Sequence, residues 1–291
     1  MPTSTFPSAT APSTSDLLAP DFWRRLNPQL SLSADPPAVA ARRFTPDQLD
    51  QVSRQLEEEG YLFLPPLLSA KEIARLRLGV ERLVARDFPP AFAYLYDDYW
   101  QLFASLSPLL ARFLGDRFRL LPNFWAWHVA PGEENSGWPP HRDYQGQSKV
   151  GEFLISLSLW IPLSPATPEN GCIYVLPLSR EAHYDRPVEG PADLDLQDIR
   201  ALPAQAGSVL GWRQDLFHWG ARSTRRASQP RISLSLEFQN AAFDPLATPL
   251  LQADQPPGFT ERLALILAQF DKYRHMERLT PAQQTLRDLL R

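Results

Sequence analysis

The segment WPPHRDY sets His141 and Asp143 two positions apart, behind two prolines that favour extended backbone. In extended chain, residues two apart point to the same side, so an imidazole and a carboxylate converge. His218, far downstream in QDLFHWG, is the candidate third ligand. Two histidines and one carboxylate form a facial triad that leaves three positions of an octahedral Fe(II) open. A chelating cosubstrate would take two of them and O2 the third, so oxygen would react only once everything is assembled. The same three ligands with one water would also make a hydrolytic zinc site.

An HxD pair recurs by chance, and what gives this one weight is the sequence around His218. SVLGW leads into that histidine, and RISLSLEF follows it after a basic loop. In this second strand Arg231, Ser233 and Ser235 alternate with Ile232, Leu234 and Leu236, so one face carries an arginine and hydroxyls. On a pocket wall, Arg231 could grip a remote carboxylate in a bidentate pair and Ser233 could add a hydrogen bond. The plainer alternative is an edge strand with a solvated arginine. EFLISLSLWIPL repeats the design: Phe153, Ile155, Leu157 and Leu159 share one face, Ser156, Ser158 and Trp160 the other. Trp160 is then either a wall of the cosubstrate site or a core tryptophan.

Arg142, Tyr144, Trp138, Trp127, Trp212 and Arg213 flank the ligands and are candidate substrate contacts, although Arg142 is expected to point away from them. Arg222, Arg225 and Arg226 read as a solvated loop rather than an anion site. His183 and His275 read as structural or exposed, and Cys172, after the Asn170-Gly171 turn, as a small buried apolar residue.

These residues need elements to position them. Residues 1–20, rich in Ser, Thr, Ala and Pro, read as a mobile tail. TPDQLDQVSRQLEEEG predicts a helix from a Thr45 cap to a Gly60 stop, YLFL a strand, and SAKEIARL a second helix with capping-box spacing from Ser69 to Glu72. The stretch from Pro89 to Leu121 is expected to be mostly helical. Beyond it come short β-rich runs, FWAWHV, EFLISLSLWIPL, CIYVLP, SVLGW and RISLSLEF, divided by Pro, Gly, Asn and Asp. Residues 187–205 read as an acidic inserted loop and a candidate lid, and the chain returns to helix from FTERLALILAQF onward. The expectation is a mainly β protein with flanking helices: one domain over 21–291, with a jelly-roll core at about 121–240 supported by N- and C-terminal helices.

A hydrophobic fraction of 44% in 291 residues can fill such a core. The net charge of −4, without a long basic run, argues against nucleic acid as a partner. No run approaches the length of a membrane span. The lone Cys172 and an N-terminus without a secretory pattern make the cytoplasm the expected compartment.

Taken in order, four segments resemble the phytanoyl-CoA dioxygenase family of Fe(II)/2-oxoglutarate-dependent oxygenases. They are TPDQLDQVSRQLEEEGYLFLPPLLSAKEIARL, PHRD, LWIPLSPATPENGCIYVLPLSREAH and AGSVLGWRQDLFHWGARSTRRASQPRISLSLEF, and the likeness spans about Thr45 to Phe238. The resemblance implies a double-stranded β-helix of the cupin-like, jelly-roll type. It makes His141, Asp143 and His218 the iron ligands, has Arg231 and Ser233 hold the far carboxylate of 2-oxoglutarate, and sets Trp160 beside that cosubstrate. Where the family has P-G-S-H, this chain has Pro177, Leu178, Ser179 and Arg180, and in FWAWHVAPG only His128 or Trp127 falls in the neighbourhood of the basic residue often found upstream of the metal motif. The implied reaction consumes O2 and 2-oxoglutarate, releases succinate and CO2, and hydroxylates a small or carrier-bound substrate. The retained Asp143 argues against a halogenase. Desaturation, ring formation and epimerisation use the same ligands, and a jelly-roll binding protein without turnover is the remaining alternative.

Overall fold

The computed structural model describes residues 11–133, 136–186, 188–253, 255–273 and 278–290. Helices come first: α1 (Thr14–Leu17), α2 (Pro20–Leu26) and α3 (Pro46–Glu59), then strand β1 (Tyr61–Leu64), α4 (Ala70–Val84), a 3-10 segment (Pro90–Leu95), α5 (Asp97–Ala104) and α6 (Ser107–Leu114). The capping signals act as expected. Thr45 Oγ1 accepts from the Gln48 amide at 3.2 Å, and the Gln48 side chain accepts in return from the Thr45 amide at 2.9 Å. Ser69 and Glu72 repeat the motif on α4. Gly60 ends α3 at φ +81°, a left-handed position where a side chain would also collide with Leu178 and Leu216.

The tail expectation needs correction at its C-terminal end. α1 and α2 fall within or begin inside that stretch, Leu17 is fully buried, and its carbonyl accepts from Trp23 Nε1 at 2.9 Å. A single well-placed leucine anchors a segment whose composition alone looks too polar to order. Residues 1–10 lie outside the described residues.

The β core follows with β2 (Phe118–Val129), β3 (Trp138–His141), β4 (Lys149–Val150), β5 (Phe153–Leu154), β6 (Ser156–Pro162), β7 (Ile173–Leu176), β8 (Arg200–Leu202), β9 (Val209–Arg213), β10 (Phe217–Gly220) and β11 (Arg231–Asn240). A short helix α7 (Leu178–Glu181) follows β7, and α8 (Phe259–Tyr273) and α9 (Pro281–Leu290) come after the strands. A larger antiparallel sheet runs β1-β9-β6-β11-β2 and a smaller one β3-β10-β7-β8, with β4 and β5 as a separate ribbon. This is the expected jelly roll.

Alternation along the strands separates two environments. Leu157, Leu159 and Ile161 of β6 and Ile232 and Leu234 of β11 are buried in one cluster with Val80, Leu83, Phe92 and Leu109 from the helical half. The helices therefore cover the outer face of the large sheet. The opposite face, with Ser158, Trp160, Arg231, Ser235 and Glu237, lines a cavity that β3, β7 and β10 close from the small sheet. α8 seals one side, with Phe270 and Tyr273 packed on Trp125 at ring separations of 5.2 and 4.7 Å.

The inserted stretch is only partly loop. β8 pairs with β7 and forms an edge of the small sheet, and no described residue between 188 and 205 lines the cavity. Residue 187 lies outside the described residues, as does His275. Among the described residues no helix is long and apolar enough to cross a membrane.

Candidate metal centre

β3 and β10 run antiparallel with His141 directly opposite His218, which brings the imidazoles to a ring separation of 4.4 Å. Just beyond β3 the Tyr144 amide donates to the Gln214 carbonyl at 3.1 Å, pinning the chain so that Asp143 turns inward. Asp143 Oδ2 accepts from Ser158 Oγ at 2.6 Å and Trp212 Nε1 at 2.9 Å. That leaves Oδ1 facing the histidines, 3.5 Å from His141 Nε2 and 3.6 Å from His218 Nε2. The three ligand atoms all lie within 4.8 Å of one another.

Each histidine places its Nδ1 against a backbone carbonyl, His141 against Pro139 at 2.9 Å and His218 against Leu216 at 3.0 Å. Nδ1–H donating to that oxygen leaves Nε2 as a lone pair, the form that binds a metal. Trp138 Nε1 donates to His141 Nε2 at 3.1 Å, which fits the same tautomer. Burial pushes the His218 imidazole down to about 4 against the pull of Asp143, so this ring is neutral at physiological pH. Burial works to raise the Asp143 carboxyl, but in acid, below the His218 transition, the charge that His218 then carries and the hydrogen bond from Ser158 hold it well below the usual carboxylate range. Two imidazoles that present Nε2 and a carboxylate that presents Oδ1 suit a divalent cation.

Arg231 also faces the cavity, with only 3% of its surface exposed. Its Nη1 donates to Ser233 Oγ at 2.8 Å, and its guanidinium lies 5.6 Å from the Trp127 ring and 6.0 Å from Trp160. Its Nε has no hydrogen-bond partner, and among the described residues no carboxylate pairs with it. Burial lowers the guanidinium to about 10, which still leaves it charged. A buried cation with an open donor in a cavity is a binding group for an anion.

The candidate residues divide clearly. Trp127, Trp138, Tyr144, Trp160 and Trp212 line the cavity of about 190 Å³ together with the triad and Arg231. Ser233 is wholly buried and touches Arg231 rather than the cavity. Arg142 points away, as expected: it bonds the Asp215 carbonyl and the Glu181 carboxylate and stacks on Phe217 at 5.4 Å. Arg213 holds Asp215 and Ser148. Arg222, Arg225, Arg226 and His183 are exposed, and Cys172 is fully buried. Several lining residues have no forerunner in the sequence reading, among them the polar Asn123, Glu237 and Lys272 and the aromatic Tyr273. Glu237 continues the alternation of Arg231, Ser233 and Ser235, so its face was legible; Lys272 and Tyr273 arrive on a distant helix with no local signal.

The model of the phytanoyl-CoA dioxygenase family matches residues 102–229, a span that includes all three triad residues. The resemblance read from the sequence is thereby borne out over that segment, which carries the His-Asp-His group that could hold a metal ion. No curated protein matches the sequence. Among solved structures, the epimerase SnoN in complex with Fe3+, alpha ketoglutarate and nogalamycin RO is 19% identical, with a TM-score of 0.53 over 68% of this chain and 85% of that one. EctD from S. alaskensis, with 2-oxoglutarate and 5-hydroxyectoine, is 19% identical, with a TM-score of 0.54 over 79% of this chain and 95% of that one. HygX from Streptomyces hygroscopicus, with nickel and 2-oxoglutarate bound, is 15% identical, with a TM-score of 0.54 over 69% of this chain and 89% of that one. At such identities the likeness is one of fold.

Proposed function

We propose that this chain, with its phytanoyl-CoA dioxygenase region over residues 102–229, is a non-haem Fe(II)/2-oxoglutarate-dependent dioxygenase that hydroxylates a small-molecule or carrier-bound substrate and releases succinate and CO2. One observation carries the reading beyond metal binding. A buried arginine without a carboxylate partner shares one cavity with a His-Asp-His triad. That arginine has no role in a zinc hydrolase, and its pairing with an intact triad argues against a jelly roll that merely binds.

The donor set fits the group. His141 Nε2, Asp143 Oδ1 and His218 Nε2 would hold Fe(II), whose chemistry is to couple the oxidative decarboxylation of 2-oxoglutarate by O2 to attack on a C–H bond. Arg231, steadied by Ser233, would take the far carboxylate, with Trp160 and Trp127 walling the cosubstrate from water. Ser158 and Trp212 keep Asp143 in one orientation, so that one oxygen remains for the metal. The free, buried Cys172 fits a reducing compartment, and the proposal places the protein in the cytoplasm.

Anaerobic addition of Fe(II) and 2-oxoglutarate should give a visible charge-transfer band in the wild type and none in His141→Ala. Absence of the band and of succinate release from the wild type would overturn the assignment. The outcome of turnover is read by mass: one added oxygen for hydroxylation, two lost hydrogens for desaturation or cyclisation, no change for epimerisation. The last two are kept open because SnoN is an epimerase and SnoK a carbocyclase.

A further inference from the structure

Glu237 shares a face of β11 with Arg231, six residues further along, which puts their backbones roughly 20 Å apart. Its cross-strand neighbour on β6 is Ser158, the residue that holds Asp143, so Glu237 lies beside the triad and away from the cosubstrate arginine. Both hydrogen bonds it accepts, from Asn123 Nδ2 at 2.8 Å and Tyr144 OH at 3.1 Å, fall on Oε2. Among the described residues no donor reaches Oε1, and no lysine or arginine forms an ion pair with this carboxylate. Lys272, the nearby cation, is exposed and turns its Nζ to Asn123 Oδ1 at 3.2 Å. Tyr144 bonds Glu237 directly, and Trp125, Trp138 and Tyr273 add aromatic walls to the same cavity.

A carboxylate drawn into a cavity, oriented by two neutral donors and left with one open oxygen, is costly unless something supplies a charge there. An anion entering this end would meet both Glu237 and Asp143. A cation would meet ring faces that attract it and an acceptor that can take a charge-assisted N–H bond.

Resting on the oxygenase reading above, we propose that the prime substrate carries a cationic nitrogen with N–H groups, an ammonium or guanidinium, bound by Glu237 Oε1 between the aromatic walls. Seating that nitrogen fixes the neighbouring carbons of the substrate next to the triad. Glu237 is then the residue that selects the substrate class.

The test uses metal-free full-length protein at constant ionic strength, with tryptophan fluorescence reporting binding of n-butylammonium, the neutral 1-butanol and the anionic butyrate. Wild type should bind n-butylammonium about tenfold more tightly than 1-butanol, and Glu237→Gln should erase the preference. Lys272→Gln, which removes an exposed like charge, should retain or strengthen it and provides a readout should the first variant fold poorly. Equal affinities for n-butylammonium and 1-butanol, no binding of n-butylammonium, or a cation preference unchanged in Glu237→Gln would overturn the proposal, whereas butyrate bound in both proteins reports Arg231. A preference for butyrate that disappears in Lys272→Gln would overturn it in favour of an anion at Lys272. The readout needs neither iron nor turnover, so its failure is separate from failure of the charge-transfer band.

Discussion

The two oxygens of Asp143 have separate duties: Ser158 and Trp212 hold Oδ2, and Oδ1 faces the imidazoles. Arg231 shows a comparable division, with one nitrogen on Ser233 and Nε open. Arg231→Gln should therefore weaken 2-oxoglutarate by about a hundredfold while leaving Fe(II) affinity in place, measured by anaerobic titration of the charge-transfer band. A second prediction follows from two groups that shift in opposite senses. Burial, then the charge of Asp143, raises Glu237 to about 7, so this group binds a proton more readily folded than unfolded. Its stabilisation is complete below the ordinary carboxylate value of 4.5 and is lost as pH rises towards 7. His218, lowered to about 4, does the reverse: the unfolded chain binds the proton more readily, so stability rises with pH between about 4 and 6.5. The two slopes oppose each other in the metal-free protein. Glu237→Gln should unmask the histidine limb, giving a melting temperature that climbs steadily from pH 4.5 to 6.5 where the wild type is flatter. His141, Asp143 and Arg231 stood out as candidates because each sits in a short pattern, HxD or a strand alternating polar with apolar, whereas His218 drew its weight from the strands around it. Asn123 and Lys272 offer no such pattern: Asn123 joins the site through Tyr144 and the distant Glu237, and Lys272 through Asn123, 149 residues away.

At the level of elements, the site depends on a support that sequence periodicity does not reveal. Arg262 of α8 reaches back to the segment before α5, where Nη1 donates to Asp97 Oδ1 at 2.6 Å and to the Leu95 carbonyl at 2.9 Å. Asp97 in turn accepts from the Ser31 hydroxyl at 2.7 Å and the Ser33 amide at 2.8 Å. Arg262 and Asp97 have side-chain exposures of 2% and 0%, so removing one partner strands the other charge. Arg262→Ala should cost about 3–5 kcal/mol in chemical denaturation, whereas Asp21→Ala, which breaks the exposed pair with Arg24 and leaves Arg24 on the Leu32 carbonyl, should move the midpoint little. Helices α3 and α4 announce themselves by cap residues and Gly60, which are local signals. β3 is legible as extended chain from its two prolines but not as a paired strand, because they lack N–H groups; it is tolerated as an edge of the small sheet, where a missing N–H disrupts little. β10, FHWG, is too short for its alternation to stand out, yet these two strands carry both histidines.

For the whole molecule, a site assembled from both sheets should couple ligand binding to global stability. Ni(II) with 2-oxoglutarate at a hundredfold excess over Kd should stabilise the protein by about 2.7 kcal/mol, a rise of several degrees in Tm. Asp143→Ala should show no such rise, checked by scanning calorimetry. What the sequence determined by itself was chemistry carried by short spacing and by strand and helix periods: the ligand types, the arginine strand, the jelly-roll class and the caps. Only the tertiary structure decided which faces turn inward, that His218 stands opposite His141, and that Glu237 meets Asn123, Tyr144 and the aromatic wall from α8. The physical reason is range. Periodicity and capping are set by neighbours a few residues apart, whereas antiparallel pairing joins residues by the burial of whole sheet faces, which no local pattern encodes.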